Sequence, residues 1–199
     1  MRIVKWVLGL VVLAVVGLFL SYVLPKREVA YITDAYNRFV EPGELRGVRA
    51  VNEATATDPN GRLGADVLFI VGRSRDGDLL EFRNEDTGFG FPFYFKFDTA
   101  TLDNQAREAI STPENPKWMI VRYYGWRVPF LSMFPNMTSM TPAPSRDVTL
   151  VPWFSIVTVV LLAALAWAVW ARVRRWSQRR ADPVAASWTP DLPRKGWFR

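Results

Sequence analysis

The chain contains no cysteine and no histidine. Without cysteine there are no disulfides, thiol nucleophiles, iron–sulfur ligands or thiolate zinc sites. Without histidine the commonest metal ligand and the usual general base near neutral pH are missing. Any bound metal would have to be a hard cation on oxygen ligands. No motif of known catalytic, metal-binding or cofactor-binding spacing replaces them. The sequence therefore names no catalytic residue, no metal and no cofactor.

A basic folded segment is absent too, although the whole chain carries a net charge of +6. Residues 26–150 hold 15 basic and 17 acidic side chains, a net of −2. The positive charge sits at the ends, in Arg2 and Lys5, and in eight basic residues against two acidic ones after Ala171. A domain without basic excess is not a nucleic-acid binder. Charge gathered outside two apolar runs obeys instead the positive-inside rule of membrane proteins.

Those runs are the dominant positive feature. Trp6–Leu24, WVLGLVVLAVVGLFLSYVL, is uncharged. At ~1.5 Å per residue it makes a helix of roughly 28 Å, close to the hydrocarbon thickness of a bilayer. It exceeds the usual apolar core of a signal peptide, and no small residue stands three before a cut in Pro25-Lys26-Arg27-Glu28-Val29-Ala30, so it reads as an uncleaved anchor. Pro25 ends it. Val151–Ala171 is the second span, with Trp153 at its interfacial edge. The resulting organisation is a cytoplasmic stretch 1–5, a transmembrane helix 6–24, an exported domain 25–150, a second transmembrane helix 151–171, and a basic cytoplasmic tail 172–199 without fixed structure. In a bacterium this is an inner-membrane protein with its middle in the periplasm.

Small residues on the spans suggest close helix packing: Gly9 and Gly17 on the first, Ala164, Ala168 and Ala171 on the second. Their alternative is the ordinary abundance of Gly and Ala in membrane helices. Beyond the second span, Arg172, Arg174, Arg175, Arg179 and Arg180 are placed to meet anionic lipid headgroups.

The middle segment reads as short strands. Val29–Thr33, Gly47–Thr57, Asp66–Arg73, Leu79–Arg83, Lys117–Tyr124 and Met137–Thr141 are the candidates. Asp58-Pro59-Asn60-Gly61 and the stretch Ser74–Asp78 read as turns. Thr101–Ser111 is the one convincing helix, with Thr101 as its cap and Leu102, Ala106, Ala109 and Ile110 on one side. The fold class is thus two transmembrane helices bracketing a small, mainly antiparallel β domain with one helix. One helix before the penultimate strand matches the element order of the oligonucleotide/oligosaccharide-binding barrel.

Three stretches draw attention. In Phe89–Phe97, FGFPFYFKF, five phenylalanines alternate with other residues, and an extended chain would bring all five to one face. They are either a core strand, or a hydrophobic loop tucked under the barrel, or a surface for lipid or a partner, with Phe89, Phe91, Phe93 and Phe95 as contacts. Before it, Arg83-Asn84-Glu85-Asp86-Thr87-Gly88 places two carboxylates beside an Arg. It lacks the alternating ligands of a calcium loop and reads as a turn with a local ion pair. The third runs from Tyr123 to Asn136, aromatic and bracketed by prolines, and offers Trp126, Phe130, Met133 and Phe134 either to the headgroup region or to packing under the domain.

These same residues carry a resemblance. Arg83–Gly88, Tyr94-Phe95-Lys96-Phe97-Asp98, the run Tyr124–Asn136 and Val148-Thr149-Leu150-Val151-Pro152-Trp153-Phe154 resemble a bacterial envelope family known only as domain of unknown function number fifteen twenty-three. The likeness covers nearly the whole chain, weakening between Val40 and Gly64 and in the last residues. It implies a Gram-negative inner-membrane protein with a periplasmic domain. It assigns no reaction and no catalytic residue.

Three functions remain open. The first is a non-enzymatic accessory protein whose 28 aromatic residues and membrane helices contact lipid and a larger membrane complex. The second is a periplasmic ligand-binding or sensing module with the phenylalanine stripe in its pocket. The third is a carboxylate-only hydrolase drawing on Glu81, Glu85, Asp86 and Asp98, which would need two of them facing across a cleft.

Overall fold

The computed structural model describes residues 2–46, 56–57 and 60–187. The chain divides into two units, Met1–Pro152 and Trp153–Arg199.

The first unit begins with helix α1, Arg2–Val23. Its last regular hydrogen bond runs from Leu24 N to Leu20 O at 2.8 Å. Pro25 has no N–H to continue the ladder, and the chain turns directly into strand β1. The apolar side chains from Ile3 to Phe19 are exposed along the helix. It is long and apolar enough to cross a membrane.

The barrel is organised around β1, Lys26–Val40. Its first half, Lys26–Tyr31, pairs with β5, Trp118–Tyr124. Its second half, Ala30–Val40, pairs with β3, Leu63–Ser74, with a bulge between Ile32 and Asp34. One strand can serve both neighbours because the bulge sharpens its bend. Gly72 permits the approach there: a Cβ on it would lie 2.7 Å from the Tyr31 carbonyl oxygen. From β3 the sheet continues through the hairpin to β4, Leu79–Asn84. On the other side β5 pairs with β6, Asn136–Pro142. A parallel contact at Arg83 and Asn136 joins β4 to β6 and closes five strands in the order β1-β5-β6-β4-β3. The two-residue β2, Ala56–Thr57, extends the edge of β3. Helix α2, Thr99–Glu108, lies between β4 and β5. That connectivity is the one expected for an oligonucleotide/oligosaccharide-binding barrel.

Alternation along the strands fills the interior. Ile32, Ile70, Phe82, Val121 and Met137 are buried, and α2 adds Leu102, Ala106 and Ala109. A second cluster of Val40, Leu45, Val67 and Phe69 lies under the long connections, covered by Tyr36 and Phe134.

Several elements differ from the sequence reading. β1 is far longer than Val29–Thr33, because the polar residues past Asp34 occupy its outward positions while Ala35 and Val40 face inward. Of the candidate strand Gly47–Thr57 only Ala56–Thr57 is seen, and 47–55 lie outside the described residues, as do Asp58 and Pro59. Helix α2 starts two residues before Thr101, with Asp98 at the N-cap position and Asp86 supplying the acceptor. Phe89–Phe97 is not a strand. Pro92 donates no backbone hydrogen bond, and Gly88 and Phe95 take left-handed backbone angles (φ 52° and 51°) that end any extended run.

The second unit is helix α3, Trp153–Ser187. Within it Trp153–Gln178 is long and apolar enough to cross a membrane. The helix continues past Ala171, where the sequence reading placed an unstructured tail. Arg is a good helix former, and Arg175 Nε donates back to the Ala171 carbonyl at 3.2 Å.

Candidate functional site

The stretches Arg83–Gly88, Phe89–Phe97 and Tyr123–Asn136 come together where the end of α1 meets the barrel. The foundation is a buried polar cluster between the end of β4 and the start of β6. Arg83 and Glu85 form an ion pair of 3.0 Å, both side chains almost fully buried. Asn136 matches the backbone of Glu85 like a strand partner: its Oδ1 accepts from Glu85 N at 3.0 Å and its Nδ2 donates to Glu85 O at 3.0 Å. The same Nδ2 donates to the Tyr124 hydroxyl at 3.1 Å. Such a side chain satisfies buried backbone groups that the short β4–β6 pairing leaves over.

Lys96 completes the cluster. Its side chain turns inward and is 5% exposed. Nζ donates to Asn84 Oδ1, to Glu85 O at 3.3 Å and to Met137 O at 3.0 Å, so three N–H bonds meet three acceptors. Burial lowers its pKa to about 8, against the upward pull of Asp86, Asp98 and Glu85. The Lys96 backbone also closes a loop. Its carbonyl accepts from Thr87 N and Gly88 N, each at 3.1 Å, and its N–H donates to Thr87 Oγ1 at 3.0 Å. Asp86 Oδ1 accepts from Thr99 N at 3.0 Å and Thr99 Oγ1 at 2.7 Å, tying the loop to α2.

Above this neck stands the loop Gly88–Phe95. Phe89, Phe91, Phe93 and Phe95 are all exposed, Phe89 to 80% and Phe93 to 65%, and Phe97 beside the neck is exposed as well. The core-strand and tucked-loop alternatives are therefore overturned. The rings lean on each other, with centroids 5.7 Å apart for Phe91 and Phe93 and 5.3 Å for Phe89 and Phe97. Phe91 stacks on Phe19 of α1 at 5.6 Å.

The barrel also caps the helix. The last carbonyls of an α-helix lack intrahelical donors. Here Gly125 N donates to Tyr22 O at 2.9 Å, and the Tyr94 hydroxyl donates to Val23 O. Trp126 Nε1 donates to Ser21 Oγ at 3.2 Å. The rings of Tyr94 and Tyr124 stack at 4.7 Å, and Tyr22 meets Trp126 edge-on at 5.3 Å. Gly125 has φ 94°, and a Cβ there would meet Pro135 Cα at 3.4 Å. Burial raises the pKa of Tyr94 and lowers that of Lys26, whose Nζ donates to the Gly125 carbonyl at 3.2 Å.

The predicted contact residues separate into three kinds. Phe89, Phe91, Phe93, Phe95 and Phe130 face outward, Phe130 to 86%. Trp126 is part of the joint with α1. Phe134 turns onto the barrel: it meets Phe69 edge-on at 5.2 Å, and the Arg127 guanidinium lies 3.9 Å from its ring. Met133 is partly covered, its backbone bonded to Val128. Gly9 and Gly17 lie on exposed turns of α1 with open space where a Cβ would stand. Ala164 and Ala168 are exposed on α3, as are Arg172, Arg174 and Arg175. The side chains of Arg179 and Arg180 lie outside the described residues.

Lys96, Asn136, Tyr94 and Gly125 stand in the stretches that carry the resemblance, but the sequence reading gives them no role. Lys96 had a signal, being the one charge in the run 87–97. A lone cation among phenylalanines must either leave the apolar surface or find acceptors.

The family described as a protein of unknown function, DUF1523, matches residues 1–177. The chain belongs to this family. An uncharacterized protein of Haemophilus influenzae is 30% identical over 175 residues, 86% of this chain and 94% of its own length. No solved structure matches the chain. The family match contains α1, the barrel and the polar cluster, so the whole joint is family territory.

Proposed function

We propose that the protein is a non-enzymatic accessory protein of the bacterial inner membrane, its barrel in the periplasm and both ends in the cytoplasm. In this reading it works by contact, with lipid and with a larger membrane complex. The observation that carries it is the joint: an uncovered apolar helix whose last turn is capped by a barrel wearing outward phenylalanines. Such a construction holds a domain in one attitude beside a helix and exposes apolar surface that needs a covering. The positive charge outside the spans supports the orientation.

The carboxylates support the non-enzymatic reading. Glu81 accepts from the Tyr36 hydroxyl and pairs with Arg127 at 3.1 Å. Glu85 is paired to Arg83, and Asp86 is bonded to Thr99.

Purification of the full chain from native membranes in mild detergent tests the reading. A stoichiometric membrane partner is expected, and the double variant Gly9→Ile, Gly17→Ile should release it while the barrel stays folded. A chain that runs alone in every mild detergent overturns the accessory role. A reporter fused after Arg199 that is active only when exported overturns the orientation.

A second reading has one observation in its favour. An open cleft of about 610 Å³ lies along Asp66–Leu68 of β3, Asn84–Thr87 and Phe89. Barrels of this type bind ligands on the face of their second and third strands, which β3 and β4 are here. Saturable binding of a small molecule, abolished by Leu68→Arg, would favour this reading over the first.

A further inference from the structure

The Phe loop belongs to a specific medium. We propose that Gly88–Phe95 is a lipid-inserted element, seated in the acyl-chain edge of the leaflet beside the last turns of α1. The inference rests on the reading of α1 as a membrane span, and it commits the loop to lipid rather than to a protein partner.

Three observations carry it. The first is level. Phe91 stacks on Phe19, and Phe19 lies five residues before the end of the apolar run at Leu24. At ~1.5 Å per residue that is about 7 Å inside the end of the span. An apolar surface that deep lies in the zone where interfacial elements bury their apolar faces, about 5–10 Å into the headgroup and acyl boundary. The second is chemistry. Residues 87–95 carry no charge, and the one cation that follows, Lys96, is withdrawn into the barrel on three acceptors. Nothing ionic has to accompany the phenylalanines into lipid. The third is stiffness. The neck is fixed by both Lys96 backbone groups and by Asp86, and within the loop Gly90 N donates to Thr87 O and Tyr94 N to Pro92 O. These bonds hold the loop with its rings outward, an exposure that apolar surroundings relieve. In the membrane reading of α1 the surroundings of Phe19 are apolar, and the Phe19–Phe91 stack carries the apolar face from the helix to the loop. Trp126, with its ring nitrogen on Ser21, sits at the level expected of an interfacial aromatic.

The lack of native cysteine makes the test direct. Single variants of the full chain are spin-labelled and placed in nanodiscs of phosphatidylethanolamine and phosphatidylglycerol. Leu13→Cys reports the middle of α1, and Thr112→Cys reports an exposed turn of the barrel. Phe93→Cys reports the loop, and Gly90→Cys reports it with all five phenylalanines kept. Collision with dissolved oxygen and with a water-soluble nickel chelate is read for each. The proposal requires the loop labels to lose nickel access relative to Thr112 and keep oxygen access, as Leu13 does. Loop labels as open to nickel as Thr112 overturn it. Labels shielded from both reagents place the loop against protein and overturn it too. If Leu13 itself is open to nickel, the membrane reading of α1 falls first, which separates the two failures.

Discussion

Replacing Lys96 by methionine removes the polar plug under the Phe loop and keeps an unbranched apolar side chain one atom shorter. Asn84 Oδ1, Glu85 O and Met137 O then lose their common donor in a buried place. Glu85 O keeps the Asn136 Nδ2 donor, so two buried acceptors are left without a partner, and at about 1–3 kcal/mol each they cost roughly 4 kcal/mol. Against this stands the burial of the charge itself. The Lys96 pKa falls from 10.5 to about 8 on folding, which at ~1.36 kcal/mol per pH unit opposes the folded state by about 3 kcal/mol at pH 7. The difference predicts a net loss of about 1 kcal/mol in the variant. The pH dependence gives a second, independent signature. Because the folded value lies below the unfolded one, the unfolded chain holds the extra proton between pH 8 and 10.5, and wild-type stability rises with pH across that window. From pH 7 to pH 9 the gain is about 1 kcal/mol, or about 4 °C in Tm for a domain of this size. Burial also lowers the pKa of Lys26, but that contribution is common to both proteins and cancels in their difference. The raised pKa values of Tyr94 and Tyr123 act oppositely: their contribution is full below pH 10 and is lost above it. Thermal unfolding of the full chain in dodecyl maltoside, followed by near-ultraviolet circular dichroism at pH 7 and pH 9, makes the comparison. Equal stability at pH 7, or parallel pH dependence in the two proteins, would refute the reasoning.

Asn136→Ala removes the acceptor of Glu85 N and one donor each to Glu85 O and the Tyr124 hydroxyl, while Glu85 O keeps its bond from Lys96 Nζ, and the same melt should fall by the equivalent of about 2 kcal/mol. Gly125→Ala forces a side chain into a left-handed position beside Pro135, at a cost of roughly 1–3 kcal/mol. It should also free a spin label at Tyr22→Cys, and an unchanged spectrum counts against the cap. Leu102→Ala opens a cavity under α2 and should cost about 2–5 kcal/mol in the same assay, with no change in the label at Phe93.

The barrel was legible because its core strands alternate cleanly and its turns carry Gly77 and the Asn60-Gly61 pair. The helix before the penultimate strand was visible from Leu102, Ala106 and Ala109. The joint was not legible, for a physical reason. It is made by residues far apart in the chain, such as Tyr94 with Val23 and Asn136 with Glu85, whose pairing no local period reports. The Phe stripe misled in one respect. Alternation at period two implies a strand only when a neighbouring strand offers hydrogen bonds, and Pro92 with Gly88 and Phe95 in left-handed angles diverts the backbone instead. The ion pair within Arg83–Glu85 was readable, since two residues of one strand end lie within reach of each other.

The carbonyls of Tyr22 and Val23 accept hydrogen bonds from Gly125 N and the Tyr94 hydroxyl. Between rod and domain there is consequently no swivel. In the membrane reading proposed above, a helix that meets a thinner bilayer relieves the mismatch by leaning, and the lean would tip the domain with it. A sideways push on the domain would return along the same path as torque on the rod, which would make local bilayer thickness and domain attitude a single mechanical variable.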